Sequence, residues 1–161
     1  MKLVARHSLS EANNRYNYGK PAFGHADAPL MPEGRIIAQD MGVEFETVYD
    51  INPAANPVAV SKMLRSQETA IEAGFMDLRE YHILNEVDTQ LPYPELKAAI
   101  ADRRHTAIGL KAAELVLKNP PEEAIWVTHG LVIAGLCEVL GIANQFENFV
   151  PTFCEIRELP I

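Results

Sequence analysis

Apolar and polar positions alternate between short runs and longer periodic stretches. KLVA, near the start, is a brief apolar run with strand-compatible residues, and PVAV and AIWV repeat the theme at 57–60 and 124–127. Runs of this length read as strands buried on both faces. PEGRIIAQDMGVEFETVY places Ile36, Ile37, Met41, Val43 and Val48 at roughly helical spacing, with Pro32 suited to a first turn. MLRSQETAIEAGF predicts a helix with Met63, Ala70, Ile71 and Phe75 on one side. YHILNEVD predicts a third strand leading into a loop, and LPYPELKAAIADRRHTAIGLKAAELVLKN predicts one kinked helix or two joined near Arg104–Thr106. GLVIAGLCEVLGI reads as a nearly all-apolar buried helix, and FCEIREL alternates as a half-exposed final strand.

Between Arg6 and about Met31 the chain is polar and turn-rich (NNRYNYGKPAFGHADAP), a long loop with one short helical turn. Long loops in compact domains are usually functional. Within it Arg15, Tyr16, Tyr18 and Lys20 either line a substrate mouth or form a plain polar loop. Strands separated by helices predict an α/β fold, a mainly parallel sheet covered on both faces. No repeat, low-complexity segment or domain boundary interrupts residues 1–161, which read as one domain.

Charge and composition narrow the functions. With 22 Asp plus Glu against 14 Lys plus Arg, the formal net charge is −8, and no basic stripe offers a nucleic-acid face. Hydrophobic residues make up 48% of the chain, yet no run is long enough to span a bilayer, and MKLVARHS lacks a signal peptide's apolar core. Cys137 and Cys154 sit in apolar segments without metal-ligand spacing, which predicts reduced core thiols in a cytoplasmic protein.

Three apolar strands end in the same manner, with polar residues ahead of a helix or loop. KLVA delivers Arg6 and His7; PVAV delivers Ser61 and, at a helix start, Arg65; AIWV delivers Thr128, His129 and Gly130. In a parallel sheet these ends meet at one rim, where ligands bind. Two imidazoles and two guanidiniums converging there predict a pocket for a tetrahedral dianion, most plainly phosphate. A neutral imidazole beside cationic groups can act as a nucleophile, so hydrolysis divides into two phosphoryl transfers with no metal or cofactor required. The leaving alkoxide needs a proton, which Glu86 or Asp88 could supply.

LVARHSLSEAN resembles the signature of the histidine phosphatase superfamily, which includes cofactor-dependent phosphoglycerate mutases and small phosphatases. DAPLMPEGRIIA, SKMLRSQETA (Ser61, Arg65 and Thr69 in register), LNEVD and VTHGLVI resemble its further blocks in the same order, so the likeness spans nearly the whole chain. The resemblance implies a three-layer α/β/α sandwich acting on a small phosphorylated substrate. It implies His7 as phosphate acceptor, Arg6, Arg65 and His129 as the rest of the phosphate pocket, and Glu86 as proton donor. Asn13, with Ser10 and Gly130, would contact the substrate.

The chain departs from the family in places. Ser8 stands where the family has glycine, Met31 where a Ser or Thr helix cap is common, and TQLPYPEL where a Gly-x-Trp-Glu-Gly stretch is usual. Only 42 residues lie between Glu86 and His129, too few for the mutase insertion, so a compact phosphatase is implied. Other readings are a protein phosphohistidine phosphatase, mutase-type transfer, or a phosphate-binding protein silenced by Ser8. His25, His82, His105, Arg103 and Arg104 match no block and read as structural or surface residues.

Overall fold

A computed structural model describes residues 1–13, 28–85 and 105–161, with the side chains of 105 and 106 outside that set. The strands are β1 (Lys2–Arg6), β2 (Pro57–Val60), β3 (Asp77–Glu80), β4 (Ile125–Thr128) and β5 (Ile156–Leu159). The helices are α1 (Pro32–Val48), α2 (Leu64–Glu72), α3 (His105–Lys118) and α4 (Gly130–Val139). The sheet runs β3-β2-β4-β1-β5, parallel except for β5, which is antiparallel to β1.

Alternation along the strands divides the core in two. Ala5, Val58, Val60, Ile125 and Val127 face one layer with Ala38, Met41 and Phe45 of α1 and Ala70 of α2. Val4, Ala59, Trp126 and Leu159 face the other with Ala112, Ala113 and Val116 of α3 and Val132, Ile133 and Leu136 of α4. This is the expected three-layer α/β/α sandwich with a mainly parallel sheet. It follows from period-2 side chains on strands buried from both sides. Cys137 and Cys154 are buried free thiols. Among the described residues no helix is long and apolar enough to cross a membrane.

The third strand needs correction. It is DLRE, at 77–80, whereas His82–Leu84 forms a 3-10 turn. As an edge strand it is largely exposed, so it carries no apolar run. The apolar signal in YHILNEVD arises because Ile83 and fully buried Leu84 plug the second core cluster from the turn. The core face of α1 also differs from the expected one. Gly34, Ala38, Met41, Gly42 and Phe45 are buried, whereas Ile36, Val43 and Val48 are exposed. Small residues let the helix lie close to its neighbours, a need that a search for large apolar side chains overlooks. On α2 the inward residues are Arg65, Ser66, Thr69 and Ala70, while Ile71 is exposed. Arg35 ties the two helices together through Glu68 and, at 2.8 Å, Glu72.

The strand VTH ends with His129 as N-cap of α4, which stops at Val139 rather than Ile142. The helix expected over 91–104, with Arg103 and Arg104, and the loop expected over 14–27, with Arg15, Tyr16, Tyr18, Lys20 and His25, fall outside the described residues.

Candidate active site

β1 and β4 are neighbours, with Arg6 in register with Thr128, and β4 is flanked on its other side by β2, with Val60 opposite Val127. From β1 the chain departs to α1 on one face; from β4 it departs to α4 on the other. Neighbouring strands whose connections part in opposite directions open a crevice beyond their carboxyl ends. Arg6, His7, Ser61, Arg65, His129 and Gly130 meet there.

His7 continues the pairing of β1, its N–H donating to Thr128 O at 2.8 Å, and its side chain is buried. Its Nδ1 lies 2.7 Å from Ser8 O. A carbonyl only accepts, so Nδ1 carries the ring proton and Nε2 keeps its lone pair. Arg65 Nε donates to that Nε2 at 3.3 Å. Burial, then the charges of Arg65 and Arg6, hold the His7 pKa well below the ordinary histidine value, against the opposing pull of the Ser8 carbonyl. Neutral imidazole with an in-plane lone pair beside a guanidinium is the form a nucleophile requires.

His129 lies edge-on to His7, ring centroids 5.1 Å apart. Its Nε2 is 2.9 Å from Ser61 Oγ, which itself accepts from the Met63 N–H at 3.2 Å. Among the contacts of the buried Ser61 hydroxyl, Nε2 is the acceptor for its own proton, which puts the proton of neutral His129 on Nδ1. That Nδ1 is buried and has no hydrogen-bond partner among the described residues. A buried donor left unpaired costs about 1–3 kcal/mol, and an anion in the crevice would satisfy it. Burial, then Arg65, His7 and Arg6, lower the His129 pKa as well.

The block SKMLRSQETA supplies the scaffold. Ser66 Oγ donates to Val127 O at 2.6 Å and accepts from Ser61 N–H at 3.2 Å, joining α2 to β4 and to the end of β2. Thr69 Oγ1 donates to Arg65 O at 2.7 Å and accepts from Ser8 N–H at 2.9 Å. Polar residues on the inner face of α2 thus fix the loop that carries His7. Ser66 is a site residue that the sequence reading missed, since a serine inside a helix gives no signal of the face it occupies.

Ser8 fits without strain. The positive-φ residues other than glycine among the described positions are Asp50 and Cys154. Its buried hydroxyl donates to Gly34 O at 2.6 Å. The close approach falls on α1 instead, where a Cβ on Gly34 would lie 2.0 Å from Leu9 O. Met31 caps α1 without a side-chain bond.

Arg6 Nη1 donates to Pro151 O at 2.8 Å, and its guanidinium stacks on Phe153, 4.2 Å from the ring centroid. Its side chain crosses Gly130, where a Cβ would be 3.1 Å from Arg6 Nε and 2.7 Å from Val150 Cγ1. Gly130 therefore makes room for the arginine and opens α4, whose N-terminal dipole favours an anion at the same rim. Ser10 and Asn13 stand at the 3-10 turn that follows β1. Asn13 Oδ1 accepts from Ser10 N–H at 3.2 Å and from Ser10 Oγ at 2.9 Å. The Ser10 hydroxyl is thus engaged within the turn, and the remaining polar group of Asn13 is its NH2. Glu86 and Asp88 lie outside the described residues. His82 is exposed. Among the described residues no cluster of three His, Cys, Asp or Glu side chains is placed to hold a metal.

No protein-family model and no curated protein matches the chain. Solved structures do share its fold. TTHB049 of Thermus thermophilus is 20% identical with a TM-score of 0.59, covering 94% of this chain and 88% of its own. A phosphoserine phosphatase of Entamoeba histolytica, solved with 3-phosphoglyceric acid, is 18% identical with a TM-score of 0.59 and covers 96% and 87%. Mycobacterial hydrolase 1 is 20% identical with a TM-score of 0.58 and covers 96% and 88%. The chain therefore has the α/β fold of these proteins.

Proposed function

We propose that residues 1–161 form one catalytic domain of the histidine phosphatase type, a metal-independent phosphatase acting on a small phosphomonoester. The observation that carries the reading is the His7 imidazole, whose Nδ1 is tethered to Ser8 O and whose Nε2 faces Arg65 Nε. The fold shared with a phosphoserine phosphatase and a mycobacterial hydrolase agrees with it.

In the scheme, Nε2 of His7 attacks phosphorus while the bond to the leaving oxygen breaks. Glu86, or Asp88 in its place, gives the departing alkoxide its proton. Water then attacks the phosphohistidine, the same carboxylate takes the water's proton, and phosphate leaves with His7 neutral again. Arg6, Arg65 and His129 Nδ1–H hold the equatorial oxygens, where charge accumulates in both transition states. Asn13 NH2 adds a contact at the mouth.

The test is turnover of an aryl phosphate, with a search for acid-labile phosphate on the protein. Wild-type protein is expected to turn over and to trap phosphate on His7, and His7→Ala to do neither. Turnover that survives His7→Ala, or anion binding with neither turnover nor phosphoenzyme, would overturn the reading.

A further inference from the structure

We propose that the segment between α4 and β5 is a cradle that aims Arg6, with Phe153 as a positioning residue against the guanidinium and Arg157 as the buried post beneath it. The inference rests on the phosphate-pocket reading above. Arg6 is gripped on both main chain and side chain. Its N–H donates to Glu155 O at 3.2 Å and its carbonyl accepts from Cys154 N–H at 3.0 Å. Its Nη1 donates to Pro151 O, and its plane rests on Phe153. The Phe153 ring also lies 6.3 Å from the His7 ring, centroid to centroid, so one aromatic side chain borders both groups.

The cradle is itself held. Glu155 Oε2 accepts from Thr152 N–H at 2.8 Å and from Thr152 Oγ1 at 3.2 Å, closing the turn around Phe153. Cys154 in that turn has φ 60°, a left-handed conformation that a residue with a Cβ adopts only when its surroundings impose it. Arg157, on β5 and 1% exposed, donates from Nε to Glu155 Oε1 at 2.7 Å. Its Nη2 donates to Asn148 O at 2.7 Å and its Nη1 to Phe149 O at 3.3 Å, while the guanidinium stacks on Phe146 at 4.2 Å. A strand facing an apolar core has no packing need for arginine there. Burying one is costly unless its donors are satisfied, and each of its three nitrogens donates to the segment that carries Pro151 and Phe153.

A free arginine at a strand end would lose about 2 kcal/mol of rotamer freedom on gripping an anion. The cradle settles that cost during folding, so phosphate meets a guanidinium already aimed.

Calorimetric titration with inorganic phosphate tests this without requiring turnover. Phe153→Leu is expected to weaken phosphate binding about five- to tenfold, the scale of one partly desolvated cation–π contact. Phe153→Trp is expected to restore it. In an Arg6→Ala background Phe153→Leu should change the affinity by less than about twofold, because the contact it serves is gone. Arg157→Met is expected to lower Tm and to show the same dependence on Arg6. Equal weakening in both backgrounds would overturn the inference while leaving the pocket intact. Wild-type protein that binds no phosphate would instead overturn the pocket, and the cradle's role with it.

Discussion

His7 and Ser8 are joined through the imidazole of the first and the carbonyl of the second, Nδ1 to O at 2.7 Å. The bond sets the tautomer, and the Ser8 peptide that makes it is itself fixed by Thr69 Oγ1 on its N–H and by Gly34 O on its side-chain hydroxyl. Ser8, which stands where the resembled signature has glycine, is therefore part of the support for the candidate nucleophile.

Ser8→Ala should consequently be mild. It removes the buried hydroxyl's bond to Gly34 O and its weaker one with the Cys154 thiol, about 1 kcal/mol in all, and leaves both backbone bonds of Ser8 in place. Turnover should stay within roughly twofold of wild type while Tm falls by about 2–4 °C. Thr69→Val strips the acceptor from Ser8 N–H and should cost more, about 2 kcal/mol, with a clear loss of turnover. Thermal melts and aryl phosphate assays on both variants decide the point. A folded but inactive Ser8→Ala would contradict the tether.

The two buried histidines predict an acid-sensitive fold. Both have pKa values lowered chiefly by burial and then by Arg65, so below the ordinary value the unfolded chain binds protons that the folded chain refuses. Their contribution to stability is complete above about pH 6.5 and is lost as pH falls below it, until the folded-state values are reached. The slope should reach about 1.4 kcal/mol per pH unit for each histidine. Urea midpoints measured downward from neutral pH should fall in wild type and flatten in His7→Gln/His129→Gln. A wild-type profile as flat as the variant's would refute the assignment.

Ser61→Ala leaves His129 Nε2 and Met63 N–H without their shared partner. Neutral His129 could then carry its proton on either nitrogen, and Nδ1 would no longer be a committed donor. We expect kcat to fall by roughly tenfold, short of the loss for removing a transition-state donor outright. Nitrogen chemical shifts of His129 should move from the Nδ1–H tautomer toward a mixture. Unchanged shifts and kcat would argue against Ser61 as the orienting group.

Gly130→Ala forces a Cβ into Val150 and the Arg6 side chain. Overpacking there should cost about 1–3 kcal/mol and weaken phosphate binding, because Arg6 must move. Denaturant titration and phosphate calorimetry read the two effects separately. A variant with wild-type phosphate affinity would show that Arg6 does not lie across Gly130.

The corrected core face of α1 is equally testable. Val43→Lys, at an exposed position, should alter stability by no more than about 0.5 kcal/mol. Phe45→Ala, at a fully buried one, should cost about 3–5 kcal/mol. Urea unfolding of the pair checks the helix orientation, and a larger loss at Val43 would reverse it.

The sequence by itself determined the short buried strands KLVA, PVAV and AIWV, and hence a parallel sheet between helical layers, because strands covered on both faces must be apolar throughout. It also determined that Arg6, His7, Ser61, His129 and Gly130 would share a rim, because the polar residues follow directly on those strands. Tertiary structure decided the rest. The edge strand DLRE has no apolar signature, since an edge touches little core, and the turn beside it supplied the misleading one in Leu84. The buried face of α1 was set by glycine and alanine, which approach closely without being strongly hydrophobic. Ser66 and Phe153 acquired their parts through contacts across elements far apart in the chain, and Arg157 through the irregular segment just before it, none of which a local pattern encodes. What holds the Ser8 hydroxyl depended on what lay opposite it. That was Gly34, twenty-six residues along the chain, and only folding brought it there.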